Sequence, residues 1–287
     1  LNGSAVSAFQ RFAAIDWSGA KGVRHKGIAV AVAEAGNAAP RLLRPGHVWS
    51  RTEVLGWLGT LAEGRPTLIG MDFSFAPPFV ARGAYLPDEP LPADARGFWA
   101  YVDAVCDDDD LGAAAFLEQR HRQHFYFGAA DGRKADYMHL RVCETAFNAA
   151  GGGKPSSVFD AVGAAQVAKA SFAGMRLLHR LAGVLPVWPF DPPRPGNSLV
   201  VEIYCRAFLR MAGGRGRKLR TLGALNDALA ALGSRPTETR RALNDNETDV
   251  LAAAAGLRRI AGDARYWRPS GLSADVALSE GWTFGVL

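Results

Sequence analysis

Apolar positions in this chain follow two periods. Runs that are apolar throughout, or that alternate with period two, read as strands at 12–16, 27–33, 41–49, 67–72 and 199–204. The connections between the first three are short, which predicts antiparallel hairpins. The fourth run is apolar on both faces (Leu68, Ile69, Met71), the pattern of a central parallel strand. Helical spacing marks 52–61, with Val54, Leu55, Leu58 and Leu61 on one stripe and Gly64 and Pro66 behind it. It returns at 137–149, at 159–181 with a break expected near Gly174, in the stripe Leu222, Leu225, Leu229 and Leu232, and at 243–260. Residues 186–196 read as a proline-rich crossing loop.

Three hairpin strands followed by strand–helix–strand crossovers predict an α/β fold: a mixed five-stranded sheet with helices on both faces. The stretch 76–157, rich in Pro, Gly, charge and aromatics, reads as a large insertion after the fourth strand. The whole of 1–287 is then a single domain.

Composition narrows the picture only slightly. The formal charge of +5 permits an anionic partner without demanding one. Cys106, Cys143 and Cys205 are odd in number and widely spaced, so neither a disulfide framework nor a zinc knuckle is indicated. A reducing, cytoplasmic setting fits this usage. The first ten residues lack the basic start and apolar stretch of a signal peptide, and no apolar run approaches membrane-span length, so no membrane is expected as a partner.

The chemistry lies in the acids. Asp16 and Asp72 each end an apolar strand, and each is followed by an aromatic residue and a serine: Asp16-Trp17-Ser18 and Asp72-Phe73-Ser74. Ligands of α/β sheets gather at the carboxyl ends of strands. A carboxylate leaving an apolar strand loses hydration unless something pairs with it, and a divalent cation is a natural partner. The plain alternative for each is a turn or N-cap aspartate. On the last helix Asn244 reads as the N-cap and Glu247 as its capping-box partner, which puts Asp245 and Asp249 one turn apart on one face. The helix dipole alone accounts for Asp245 but less well for Asp249, which sits deeper, beside Val250 and Leu251. The small residues Ala252 to Gly256 would let this helix lie close to the sheet. Glu202, flanked by Val201 and Ile203 in the fifth predicted strand, needs either a metal or an ion-pair partner.

The segments Ala14-Ile15-Asp16-Trp17-Ser18-Gly19, Ile69-Gly70-Met71-Asp72-Phe73-Ser74, Val201-Glu202-Ile203-Tyr204 and 245–254 resemble the domain-of-unknown-function family 429, described as a predicted nuclease with an RNase H fold. Arg141-Val142-Cys143-Glu144 and Trp188-Pro189-Phe190 also resemble it, and the likeness runs in order along nearly the whole chain. It implies an RNase H-like core and catalytic, metal-holding roles for Asp16, Asp72 and Asp249, with Asp245 as a further ligand; Glu202 has no fixed counterpart in the best-known RNase H-like enzymes and stays open between metal ligand and ion pair. The acid that many RNase H enzymes carry on the first helix has no clear counterpart; Glu53 and Glu63 lie near its two ends.

The mechanism so implied is in-line hydrolysis of a phosphodiester by two Mg²⁺ or Mn²⁺ ions about 4 Å apart, bridged by Asp16. Oxygen-only ligands suit these hard cations. Ser18 and Ser74 would orient ligands or waters. The partner expected is nucleic acid, DNA or RNA, including hybrid or branched forms. Arg215, Arg217 and Lys218 in a glycine-rich loop are candidate substrate contacts, as are the basic residues of 118–124 and 132–134 beside Phe125, Tyr126 and Phe127. Solvated charge is the plain reading of each. Arg141 and Glu144 are either site residues or an i, i+3 ion pair. His121 and His124 lack a second ligand pair, so zinc is not expected. The run 107–110 reads as a solvated turn, and Gly151-Gly152-Gly153-Lys154-Pro155 fails the phosphate-loop pattern. Two other functions remain open: a non-catalytic nucleic-acid-binding module on the same fold, and a phosphotransferase of the actin and sugar-kinase type, which would need a second copy of the core.

Overall fold

The computed structural model describes residues 9–162, 167–214 and 218–287. Its strands are β1 (Arg11–Asp16), β2 (Ala29–Glu34), β3 (Arg41–Leu42), β4 (Thr67–Asp72), β5 (Val187–Trp188) and β6 (Leu199–Glu202). The main helices are α1 (Arg51–Gly59), α2 (Ala95–Val105), α3 (Val142–Ala149), α4 (Val167–Arg180), α5 (Cys205–Met211), α6 (Leu222–Ala231) and α7 (Asp245–Ile260), followed by short α8 (Ala264–Trp267) and α9 (Ala274–Ser279). One mixed sheet runs β3-β2-β1-β4-β6-β5. β1, β4, β6 and β5 are parallel, and β2 and β3 add antiparallel to β1.

The sheet has six strands where five were expected. The additional one, β5, falls in the segment read as a crossing loop. Val187 and Trp188 pair with Val200 and Val201 between Pro186 and Pro189, and an edge position tolerates the missing donors. β3 stops at Leu42 instead of reaching Trp49, because Arg44 and Gly46 adopt positive φ and turn the chain away. The α4 helix runs unbroken through Gly174. A Cβ there would lie 2.3 Å from the Phe73 ring, so this glycine serves close packing and not a break.

Period-two alternation sends the strand residues to two cores. Ala13, Ile15, Val30, Val32, Ile69 and Met71 pack with Val54 and Leu58 of α1 and with Phe172 and Met175 of α4. Phe12, Ala14, Ala29, Ala31 and Ala33 pack with Phe208 of α5, Leu225 and Leu229 of α6, and the apolar face of α7. On this second side both surfaces are small: alanines on β1 and β2 meet Ala252 to Ala255 of α7, and α7 crosses β1, β2 and β4. The helix backbone can therefore approach the sheet closely. Its start is fixed by the expected capping box, in which Asn244 accepts from the Glu247 N–H and Glu247 accepts from the Asn244 N–H.

Residues 76–157 hold α2 and α3 joined by short 3₁₀ and π turns. The acidic run 107–110 is more than a solvated turn. Asp110 accepts from the backbone N–H groups of Arg51 and Thr52 at the start of α1, and pairs with His25, while Asp108 accepts from Ala114 and Ala115. The three cysteines are free and buried. No helix among the described residues is long and apolar enough to cross a membrane.

Candidate active site

Parallel pairing of β1 with β4 puts Asp16 directly opposite Asp72 at the carboxyl ends of both strands. Glu202, at the end of β6, pairs with Met71, one residue before Asp72. The close seat of α7 on the sheet brings Asp249 to the same edge. Asp16, Asp72, Asp249, Ser18, Ser74, Arg141, Glu144, Glu202 and Lys218 all line one cavity of about 590 Å³. That volume suits a nucleotide-sized ligand.

The three aspartates are electrostatically strained against one another. Burial, then the Asp72 and Asp249 charges, push the Asp16 carboxyl well above the usual carboxylate range. Burial, with Asp249 and Glu202 adding, raises Asp72 to about 7, although Cys205 opposes this with its thiol and, less strongly, with its N–H at 3.4 Å. Burial raises Asp249 to about 6; Asp245 adds to the shift, while Lys218 and Arg206 work against it. Oδ1 of Asp249 is buried without a hydrogen-bond partner. A buried acceptor with no donor costs on the order of 1–3 kcal/mol. An oxygen-liganded divalent cation would remove both this deficit and the mutual repulsion, so the residues present fit Mg²⁺ or Mn²⁺. The three carboxylates are not drawn in around a single point. Among the described residues, the group of His, Cys, Asp or Glu side chains whose ligand atoms all lie within 4.8 Å of one another is Glu89, His121 and His124.

Comparison with family models, with curated proteins and with solved structures finds no match to this chain.

Glu202, Arg141 and Glu144 form the rigid wall of the cavity. Arg141 donates from Nη2 to Glu202 Oε1 at 2.5 Å, from Nη1 to Glu202 Oε2 at 2.7 Å and to the Glu280 carbonyl at 3.2 Å, and from Nε to Glu144 Oε1 at 3.0 Å. Nη2 also lies 2.9 Å from Glu144 Oε1. Both oxygens of Glu202 are further engaged, Oε1 by Thr283 Oγ1 and Oε2 by the Phe75 N–H. The two outcomes open for Glu202 are thus decided by geometry in favour of the ion pair: its oxygens are committed to donors and are not free for a metal. Arg141 and Glu144 form the i, i+3 ion pair that was one of their two expected readings, and both line the cavity.

The remaining expectations divide. Asp245 is half exposed and bonds Lys218 at 2.5 Å, so it anchors the lysine at the rim. Ser18 and Ser74 line the cavity, Ser74 with its N–H held by Ser171 Oγ. Arg215 and Arg217 lie outside the described residues. No first-helix acid reaches the cavity: Glu53 closes the α1 capping box with Ser50 and is held by Arg24 and His47, and Glu63 is exposed. In the aromatic and basic stretch of the insertion, Arg120 and Arg133 stay exposed while other members have partners within the fold. Arg122 bonds Asp131 and covers the Phe127 ring, Lys134 pairs with Asp160, and Phe125 is buried. Sequence reasoning missed Tyr204, Arg206, Asn246 and Phe147, which also line the cavity. The position of Tyr204 and Arg206 directly after a strand that ends in an acid was the available signal.

Proposed function

We propose that this chain is a metal-dependent nuclease that hydrolyses phosphodiester bonds from an RNase H-like core. The observation that carries the reading is the buried, unpartnered oxygen of Asp249, a residue that lines the same cavity as the register-paired Asp16 and Asp72. A mixed sheet with the acids at the carboxyl ends of its first and fourth strands supports the fold part of the proposal.

Asp16, Asp72 and Asp249 would hold Mg²⁺ or Mn²⁺. Such ions, when bound, supply Lewis-acid stabilisation of the reacting phosphate and lower the pKa of a coordinated water. The chain's own groups do the rest. Lys218 and Arg206 bring positive charge to the aspartate rim, where a phosphate would lie. Tyr204 and Phe147, edge to face at 5.5 Å, offer an aromatic wall for a base or sugar. Arg141, locked on Glu202 and Glu144, keeps the β6 end of the wall from shifting.

The test is hydrolysis of RNA, DNA, hybrid and branched substrates with Mg²⁺ or Mn²⁺. Activity is expected on at least one substrate, and to fall to background in the Asp16→Asn, Asp72→Asn double variant. Activity that survives both substitutions sinks the assignment.

A non-catalytic nucleic-acid-binding module is the second reading, and Lys218 favours it. Its ammonium, tied to Asp245, already offsets charge at Asp16 and Asp249. A crystal soaked in Mn²⁺ separates the two: metal on Asp16 and Asp72 speaks for the nuclease, and an unchanged lysine-filled rim for the module. The phosphotransferase reading gains nothing, since the described residues form one six-stranded sheet and no second core.

A further inference from the structure

Away from the aspartate cavity, the turn before α2 meets the turns that follow it. Glu89 stands in the first; His121 and His124 stand in the second. The His124 N–H bonds the His121 carbonyl at 3.0 Å in a 3₁₀ turn, and in that geometry residues i and i+3 lie one above the other. Both imidazoles are thereby aimed at the same carboxylate. His121 Nδ1 and His124 Nε2 each lie 3.3 Å from Glu89 Oε1.

Two features of this contact set are unlike an ordinary hydrogen-bonded trio. The 3.3 Å separations are longer than the range of roughly 2.7–2.9 Å typical when one partner is charged. They match instead the edge of a tetrahedron whose centre-to-corner distance is about 2.0 Å, the bond length zinc makes to imidazole nitrogen and carboxylate oxygen. The outer contacts also suit a metal site. His121 Nε2 is 3.0 Å from the Tyr101 hydroxyl, which accepts from Arg120 Nε and has room to accept from a Nε2–H as well. That would fix the tautomer and point the Nδ1 lone pair inward, the usual arrangement behind a liganding histidine. Gln123 Nε2 donates to Glu89 Oε1 at 2.9 Å and steadies the carboxylate. The His121 side chain is 2% exposed, His124 14% and Glu89 24%, so the group is closed on the histidine side and open to water at Glu89. Burial pushes the His121 imidazole down, favouring the neutral form a metal requires.

We propose that Glu89, His121 and His124 form a zinc site, completed by water on its open side, that clips the two ends of the α2 region together. It is separate from the aspartate cavity, and its donor set differs: two imidazoles and one carboxylate suit a borderline ion such as zinc, whereas three carboxylates suit magnesium or manganese. The residue that sequence spacing lacked is Glu89, more than thirty positions upstream of the histidines.

The experiment is titration of the chelator-treated full chain with Zn²⁺ alone, followed by calorimetry, with Co²⁺ as a visible-absorption reporter of four-coordinate geometry. One zinc per chain is expected in the wild type and also in the Asp16→Asn, Asp72→Asn variant. Affinity is expected to fall at least about tenfold in His124→Gln and in Glu89→Gln. Both are partly exposed substitutions of similar size, and far-UV circular dichroism checks that they fold. Failure of the wild type to take up zinc at micromolar concentration overturns the proposal whatever the variants do. Loss of the zinc in the double aspartate variant, or its retention in both Gln variants, also overturns it.

Discussion

At the scale of single residues, the cavity is a place where stability has been given up. Asp249 keeps a buried oxygen without a donor and stands among like charges. Replacing it with asparagine removes the charge and supplies donors. The metal-free Asp249→Asn chain should therefore be more stable than the wild type by on the order of 1 kcal/mol, read as a higher denaturation midpoint, while binding Mn²⁺ more weakly. A lower midpoint in chelator would show that the aspartate is satisfied by something else. Asp16 and Asp72 were legible in the sequence because an apolar strand ending in an acid is a local pattern. Asp249 was legible because its depth in the helix exceeded what the dipole explains. The commitment of Glu202 was not legible, since its partner Arg141 lies 61 positions away and only the fold brings the two together. A list of charged residues cannot distinguish a carboxylate whose oxygens are all taken from one whose oxygens are free.

At the scale of elements, the position of Asp249 depends on how closely α7 lies against its neighbours. A Cβ on Gly256 would sit 2.2 Å from the Phe208 ring, with the α5 helix behind it. Gly256→Ala should force α7 and α5 apart and cost roughly 1–3 kcal/mol. Because α7 carries Asp249, Mn²⁺ affinity should fall as well, although no ligand is changed; a crystal structure of the variant with unmoved α7 and full stability would refute this. The Ala252–Gly256 run announced this close seat in the sequence, as did the capping box at Asn244. The small strands β3 and β5 were misread for the converse reason. Each pairs over two residues, and at that length turn residues such as Arg44 and Gly46, or flanking prolines, decide the outcome over hydrophobic pattern. In the insertion, basic residues beside aromatics suggested nucleic acid, but Asp131 and Asp160, close in space, claim Arg122 and Lys134.

At the scale of the whole molecule, the aspartate cluster couples stability to pH. Asp72 titrates at about 7 in the folded chain against an ordinary value of 3.8. Between those values the folded state holds more protons than the unfolded state, so the slope of unfolding free energy with pH is negative. In chelator, the melting temperature should fall as pH rises from about 4 to about 7 and remain lowered above that. Saturating Mg²⁺ or Mn²⁺ should flatten the decline, because cation replaces proton as the counter-charge; Asp72→Asn should make it shallower without metal, with Asp16 and Asp249 supplying what remains. A profile that rises through this window, or that metal leaves untouched, would contradict the assignment of the cluster.

The wall beside the aspartates depends on chain that is synthesised after them. Glu280 accepts from the N–H groups of Phe79, Val80 and Val142, Thr283 bonds Glu202, and the Phe284 N–H bonds the Glu202 carbonyl. Residues 280–284 emerge from the ribosome after Asp16, Asp72, Arg141, Glu202 and Asp249. Until they do, Glu202 lacks Thr283, Arg141 lacks the Glu280 carbonyl, and the turn at Phe79 is untethered from α3. The cavity wall is therefore finished by chain that is made after all three aspartates, and a nascent chain carries those aspartates before it carries a complete pocket to hold them.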